Sequence, residues 1–229
     1  MSERPPLPAA FLADAGLNRQ HVFDLAALPD DVLATLGDAA GFRQLLLVGH
    51  GGRRLWERVR TANIGGRHPI DDYTVRTLAR WFSECVPGRH YRILYPGPAP
   101  VGLQRLGTLA GWHNASPFMV GVDAVWGSWF AYRAALLADT DFRPSPPVDH
   151  TSPCLGCTAK PCIAGCPAGA LADAKLALER CVAWRRQADS PCAFTCLARL
   201  ACPAGAEHRY DEAQMRHSYG ISLAMLEGR

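Results

Sequence analysis

Apolar positions change their period repeatedly along the first two thirds of the chain. Residues 20–40 read as helical: LPDDVLATLGDAAGF sets an Asp pair early, with Val32, Leu33 and Leu36 at helical spacing. Residues 44–48, within RQLLLVGHGG, form a continuous apolar run that predicts a buried strand, and Gly49, Gly51 and Gly52 follow as a turn. Those glycines do not make a dinucleotide fingerprint. HPIDDYTVRTLARWFSECVPG predicts an amphipathic helix. Pro69, Asp71 and Asp72 suit its first turn, and Ile70, Tyr73, Leu78, Trp81, Phe82 and Cys85 recur at three and four. Cys85 lies on the apolar face, as a core thiol and not a ligand.

HYRILYP then reads as a strand and PVGLQRLGTLAGW as a helix. PFMVGVDAVWGSWFAYRAALLAD reads as strand, turn, then strand or short helix, and DEAQMRHSYGISLAMLEG as a C-terminal helix. Elements of both kinds alternate, which predicts a layered α/β or α+β domain. Prolines 144, 146, 147 and 153 mark a stiff connector. We divide the chain there: a domain over 1–147, a cysteine-rich module over 148–206, and a helix over 207–229 packing on the body.

Composition narrows the class. The 229 residues are 48% apolar, enough for a real core. A net charge of +3 is too small to argue for nucleic acid by itself. No apolar run has the length of a membrane span. The N-terminus shows no basic segment leading into an apolar stretch, so we expect a cytoplasmic protein. Thiols stay reduced there, and nine cysteines then point to metal.

Eight of the nine lie between Cys154 and Cys202. The first run is C-x2-C-x4-C-x3-C-P, close to the ferredoxin pattern in which three near cysteines and one distant cysteine hold each cluster. The second is Cys181, then Cys192, Cys196 and Cys202, with Pro203 next. Both runs end in Cys-Pro-Ala-Gly-Ala. The pairing expected is crossed, with one 4Fe-4S cluster on Cys154, Cys157, Cys162 and Cys202 and another on Cys166, Cys181, Cys192 and Cys196. Proline after a ligand fixes φ and removes a donor, turning the chain away from the cluster. Structural zinc prefers two cysteine pairs a dozen or more residues apart, a poorer match.

The stretch from GWHNASPFMVGVDAVWGSWF through PSPPVDHTSPCLGCTAKPCIAGCPAGAL resembles epoxyqueuosine reductase and, more distantly, reductive dehalogenases. LERCVAW, IDDYTVRTLARWF and RILYPGPAPVGLQRLGTLAGW resemble further family segments, over residues 44–206 in all. The resemblance implies an α+β protein: a nitroreductase-like α/β N-terminal domain that binds cobalamin, followed by a two-cluster ferredoxin-like module that passes electrons to the cobalt. It marks Tyr73, Trp112, His113, Trp126, Ser128 and Trp129 for the cofactor pocket, with Phe130 nearby. Each also has an ordinary reading, as core aromatic, loop histidine or turn serine.

The stretch YPGPAP, residues 95–100, matches the family's acidic segment but carries no carboxylate. Tyr95 is a poor acid near neutral pH, and no catalytic residue is assigned. His150 reads as a linker residue or a hydrogen-bonder to the adjacent cluster. His208, Arg209, His217 and Tyr219 read as caps on the cluster module. The short tail and modest charge lead us to expect no tRNA substrate. Three functions stand: electron delivery to a bound corrinoid, a ferredoxin-type carrier with a docking domain, and, well behind, epoxyqueuosine reduction. The first two need an electron-donor protein such as a flavodoxin, ferredoxin or reductase.

Overall fold

Four strands pair into one antiparallel sheet in the order β1–β2–β4–β3. They are β1 (Arg19–Asp24), β2 (Gln44–Gly51), β3 (Tyr91–Tyr95) and β4 (Phe130–Ala138). The computed structural model describes residues 3–149 and 151–227. The fold is α+β. The chain divides into two compact units, residues 1–111 with 130–148, and residues 112–129 with 149–229.

The first unit holds the sheet. β2 is buried along its whole length, which is why its apolar run is continuous rather than alternating. Leu46 pairs with Leu136, and Val48 with Ala134. With Val22 these form one core with Ile70, Leu78, Trp81 and Phe82 of α4 (Pro69–Cys85) and with Leu55, Trp56 and Val59 of α3 (Arg54–Thr61). Successive strand residues face opposite ways, so Leu45, Leu47, Ala135 and Leu137 are buried on the other side. Cys85 is partly buried against the main core. Two short helices, α1 (Ala10–Asp14) and α2 (Asp30–Leu33), and the later α5 (Leu103–Leu109) complete the unit. Gly107 lets α5 approach the sheet: a Cβ there would lie 1.8 Å from the Tyr132 hydroxyl.

The reading of 20–40 as helix is corrected. Residues 19–24 are β1, and helix survives only over Asp30–Leu33. Six residue pairings to β2 hold β1 as an edge strand, and Gly37 and Gly41, both at positive φ, stop the helix. The helical spacing of Val32 and Leu36 arises from a single turn that buries both.

Gln44 closes this unit. It has no exposed surface, and its amide donates to Asp24 and to the Phe142 carbonyl at 2.9 and 2.8 Å. Its oxygen accepts from the Thr140 hydroxyl and the Phe142 N–H, both at 2.9 Å. All four of its hydrogen-bonding positions are therefore used.

His21 on β1 is 3% exposed, and burial pushes its imidazole down to about 4. The native state therefore keeps it neutral while the unfolded chain takes a proton near the ordinary value of about 6.5. The sign follows: this contribution is whole above pH 6.5, falls as pH drops toward 4, and levels off below. The total loss is about 3 kcal/mol. Urea unfolding of the wild type and His21→Gln at pH 7 and pH 4.5 will show a shallower pH dependence in the variant. Equal dependence in both would refute the assignment.

The second unit is built on short helices: α6 (Pro161–Ala164), α7 (Leu178–Arg185), α8 (Leu197–Ala201) and the long α9 (Glu212–Glu227). Gly165 lets α6 and α8 approach, since a Cβ there would meet the Ala201 methyl at 2.9 Å. Its apolar centre contains ligand-type side chains: Cys162 and Cys202 are buried with Phe118, Val122, Leu171 and Ala198. Among the described residues, no helix is long and apolar enough to cross a membrane.

Candidate metal centre

The first cysteine run begins at a Ser-Pro-Cys step, 152–154, where the Cys154 N–H donates to the Ser152 hydroxyl at 3.3 Å. The second repeats it at 190–192, with Cys192 N–H to Ser190 at the same distance. Both runs end in a Cys-Pro-Ala-Gly turn whose glycine, Gly169 or Gly205, has φ near +60°. The region is thus duplicated at both ends of each run. The repeated Ser-Pro-Cys was readable in the sequence but has no meaning until the hydroxyls are seen to accept the ligand N–H groups.

The thiols sort into two sets. Burial pushes the Cys154 thiol up, and so do its neighbours Cys202 and Cys157. Cys162 is raised by burial, then by Cys202 and Cys154. These four line a single cavity of about 290 Å³, walled on its apolar side by Phe118 and Val122 and edged by Lys160. In the other set, burial and then Cys196, Cys166 and Cys192 push the Cys181 thiol up. Burial also raises Cys192, whose sulfur accepts the Leu197 N–H. Among the described residues no three Cys, His, Asp or Glu side chains come close enough to share one metal ion. The corners of an iron–sulfur cube take one thiolate each and stand further apart than that.

Segment 112–129 supplies the wall of the first set. Asn114 and Val122 exchange backbone hydrogen bonds, and Asp123 accepts the N–H groups of Val125 and Trp126 at 2.8 and 2.9 Å. The resulting turn places Gly127 against the second Cys-Pro turn. A Cβ on Gly127 would lie 1.8 Å from the Ala204 carbonyl, and one on Gly205 2.3 Å from the Trp126 carbon. Two backbones meet there with no room for a side chain.

The residues marked for a cofactor pocket fall in both units, Tyr73 in the first and the other five in the second. Tyr73, on α4, donates to the Ala15 carbonyl at 3.1 Å and lines a cleft of about 520 Å³ with Phe11, Arg58 and Arg76. Trp112 is buried. His113 is half-buried, its ring against Gly121, and burial pushes its imidazole down. Trp126 lies tilted against His208, with ring centres 4.4 Å apart. Ser128 and Trp129 are fully buried beside Arg199, which lies 4.3 Å over the Trp129 ring and donates to the Ser128 hydroxyl at 3.2 Å. Phe130 begins β4. Tyr95 ends β3, and burial pushes its hydroxyl further up.

His150 lies outside the described residues. Arg209 caps α8 by donating to the Leu200 carbonyl at 2.7 Å. His217 lies on α9, as does Tyr219, whose hydroxyl burial pushes up to about 12. Sequence reasoning passed over Arg185 and Arg199, buried in this unit, because nothing distinguishes them among 24 lysines and arginines.

No protein-family model matches the chain, and no curated protein matches it. Solved structures do. A catabolic reductive dehalogenase, NpRdhA, superposes with a TM-score of 0.57 at 14% identity, over 99% of this chain and 37% of its own. Epoxyqueuosine reductase from Bacillus subtilis superposes with 0.54 at 14%, over 88% of this chain and 66% of its own. An epoxyqueuosine reductase solved with an epoxyqueuosine-modified tRNA-Tyr stem loop gives 0.53 at 14%, over 90% and 66%. The chain thus spans just under two thirds of the length of these reductases, and it shares their fold.

Proposed function

We propose that this chain is an iron–sulfur redox protein carrying two 4Fe-4S clusters in a ferredoxin-like module. One is held by Cys154, Cys157, Cys162 and Cys202, the other by Cys166, Cys181, Cys192 and Cys196. The observation that carries this reading is the cavity of about 290 Å³ into which four thiols from two separate runs open together. The donor set fits: eight thiols, two groups of four, each run closed by proline and a left-handed glycine. Such clusters, when bound, accept and release single electrons.

The chain's own residues prepare the site. Phe118 and Val122 give the first set an apolar wall, and N–H groups of Ile163 and Leu197 donate to the sulfurs of Cys162 and Cys192. Hydrogen bonds to sulfur and exclusion of water are the levers by which a protein sets a cluster's potential.

The electron acceptor suggested by the resemblance is a cobalamin. The residues marked for it fit poorly. Ser128 and Trp129 are closed in around Arg199, and Tyr73 opens on a cleft with none of the other five. A fold shared with a reductive dehalogenase over 99% of the chain still makes a corrinoid the acceptor to test first. The other acceptor is a partner protein, which the tight packing of those two residues favours.

The test is anaerobic reconstitution with iron and sulfide, then titration with cob(II)alamin followed by EPR. About eight irons per chain are expected from two four-iron clusters, with cluster signals on reduction. Fewer than four irons would overturn the reading. A base-off cobalt spectrum would assign the acceptor as a corrinoid, and an unchanged free-cobalamin spectrum would assign it as a protein.

A further inference from the structure

The two thiol sets differ in the charge that surrounds them. Beside the first stands Lys160, exposed at the cavity edge. Two buried guanidinium groups lie in the same unit, and one of them, Arg185, stands beside the second set. Arg185 is 8% exposed, and each acceptor recorded for it is neutral. Its Nε donates to the Cys192 carbonyl at 3.2 Å, and one Nη to the carbonyls of Ala193 and Tyr219 at 3.2 and 3.0 Å. The other Nη donates to the Ser222 hydroxyl at 3.1 Å. Arg185 follows Cys181 by four residues on α7, so both rise from one helix face. Its field acts on the thiols of both Cys181 and Cys192.

Arg199, 7% exposed, continues the arrangement. It lies between the rings of Trp129 and Tyr210, 4.3 and 5.0 Å from their centres. Tyr219 joins the two arginines: its hydroxyl is hydrogen-bonded by Arg199, and its ring lies 5.3 Å beneath Arg185. Among the described residues no carboxylate pairs with either guanidinium. A buried cation is costly unless an anion meets it. Four thiolates on an iron–sulfur core are such an anion, and reduction makes it one charge more negative. A fixed positive charge in a dry site therefore favours the reduced form.

We propose that Arg185, backed by Arg199 across Tyr219, is the built-in counter-charge of the second cluster and holds it at a higher reduction potential than the first. The inference rests on the two-cluster reading above. An electron entering from a low-potential one-electron donor protein, itself oxidised by one electron, then comes to rest on the second set. Arg185 is a positioning residue in this: it touches the backbone of a ligand and acts through its charge.

The test is an anaerobic redox titration read by EPR on the full-length wild type, Arg185→Gln, Arg185→Lys and Cys157→Ser. The last alters the signals of the first cluster only and so identifies them. Arg185→Gln will lower the midpoint of the second cluster alone, by at least tenfold in its reduction equilibrium, about 59 mV for one electron. Arg185→Lys, which keeps the charge, will recover most of that shift. If Arg185→Gln binds its full iron and both midpoints stay where they were, the counter-charge is overturned while the clusters stand. If wild type takes up no clusters, the proposed function falls with it. Where Arg185→Gln sheds the second cluster, the wild-type order decides. The higher-potential signal must survive Cys157→Ser unchanged, and survival of the lower one instead overturns the inference.

Discussion

Cys202→Ala will strip or degrade the cluster on Cys154, Cys157 and Cys162 and leave the one on Cys192 and Cys196 intact. Bound iron falls from about eight to about four per chain, or to about seven if a three-iron form persists. The variant is informative because Cys202 lies only six residues after Cys196 in sequence, yet opens into the cavity of the first run. Cys166→Ala is the mirror image: it sits in the first run but takes part in the electrostatics of Cys181 and Cys192. Iron and sulfide analysis with EPR will separate the two. If Cys202→Ala instead removes the cluster held by Cys192 and Cys196, the runs are independent and the crossed assignment is wrong.

Trp129→Ala will cost about 3–5 kcal/mol of stability, the range for deleting a large buried aromatic. Trp129 has no exposed surface and packs on Arg199 and, ring edge to face, on Tyr210 with centres 5.4 Å apart. Its removal leaves a void beneath a buried guanidinium, which loses its cation–π contact as well as its shield from water. The midpoint of urea unfolding measures this. The competing view, in which Trp129 walls a corrin pocket, predicts lost cobalamin affinity with stability nearly unchanged. Urea unfolding and cobalamin titration of the one variant, read together, decide between them.

Several elements were open to reading because one physical rule dominated each. α4 carries its start, its stripe and its stop in the covalent sequence, and the middle of β2, residues 45–48, is a continuous apolar run because both its faces are covered. Cysteine spacing is likewise a property of the chain, so the reading of these runs as a soft-metal site needs no folding to be considered. β1 was illegible for the opposite reason. His21, Val22 and Phe23 become a strand only through pairing with Leu45, Leu46 and Leu47, a contact that no local window contains. Arg185 and Arg199 were hidden by their type: arginine is an exposed residue by default, and its burial is a tertiary fact. The aromatics from Trp126 to Phe130 fell between two readings because a flat ring serves a cofactor wall and a core equally well.

The membership of residues 112–129 in the second unit, although they lie between α5 and β4 of the first, bears on inheritance. A gene fragment encoding 149–229 alone would deliver all eight thiols without Phe118, Val122 or the Gly127 turn that abuts Ala204. Recombination that lifts 149–229 out as one cassette leaves the apolar wall of the first thiol set behind. A cassette that keeps both stretches also carries strand β4, and with it part of the sheet of the first unit.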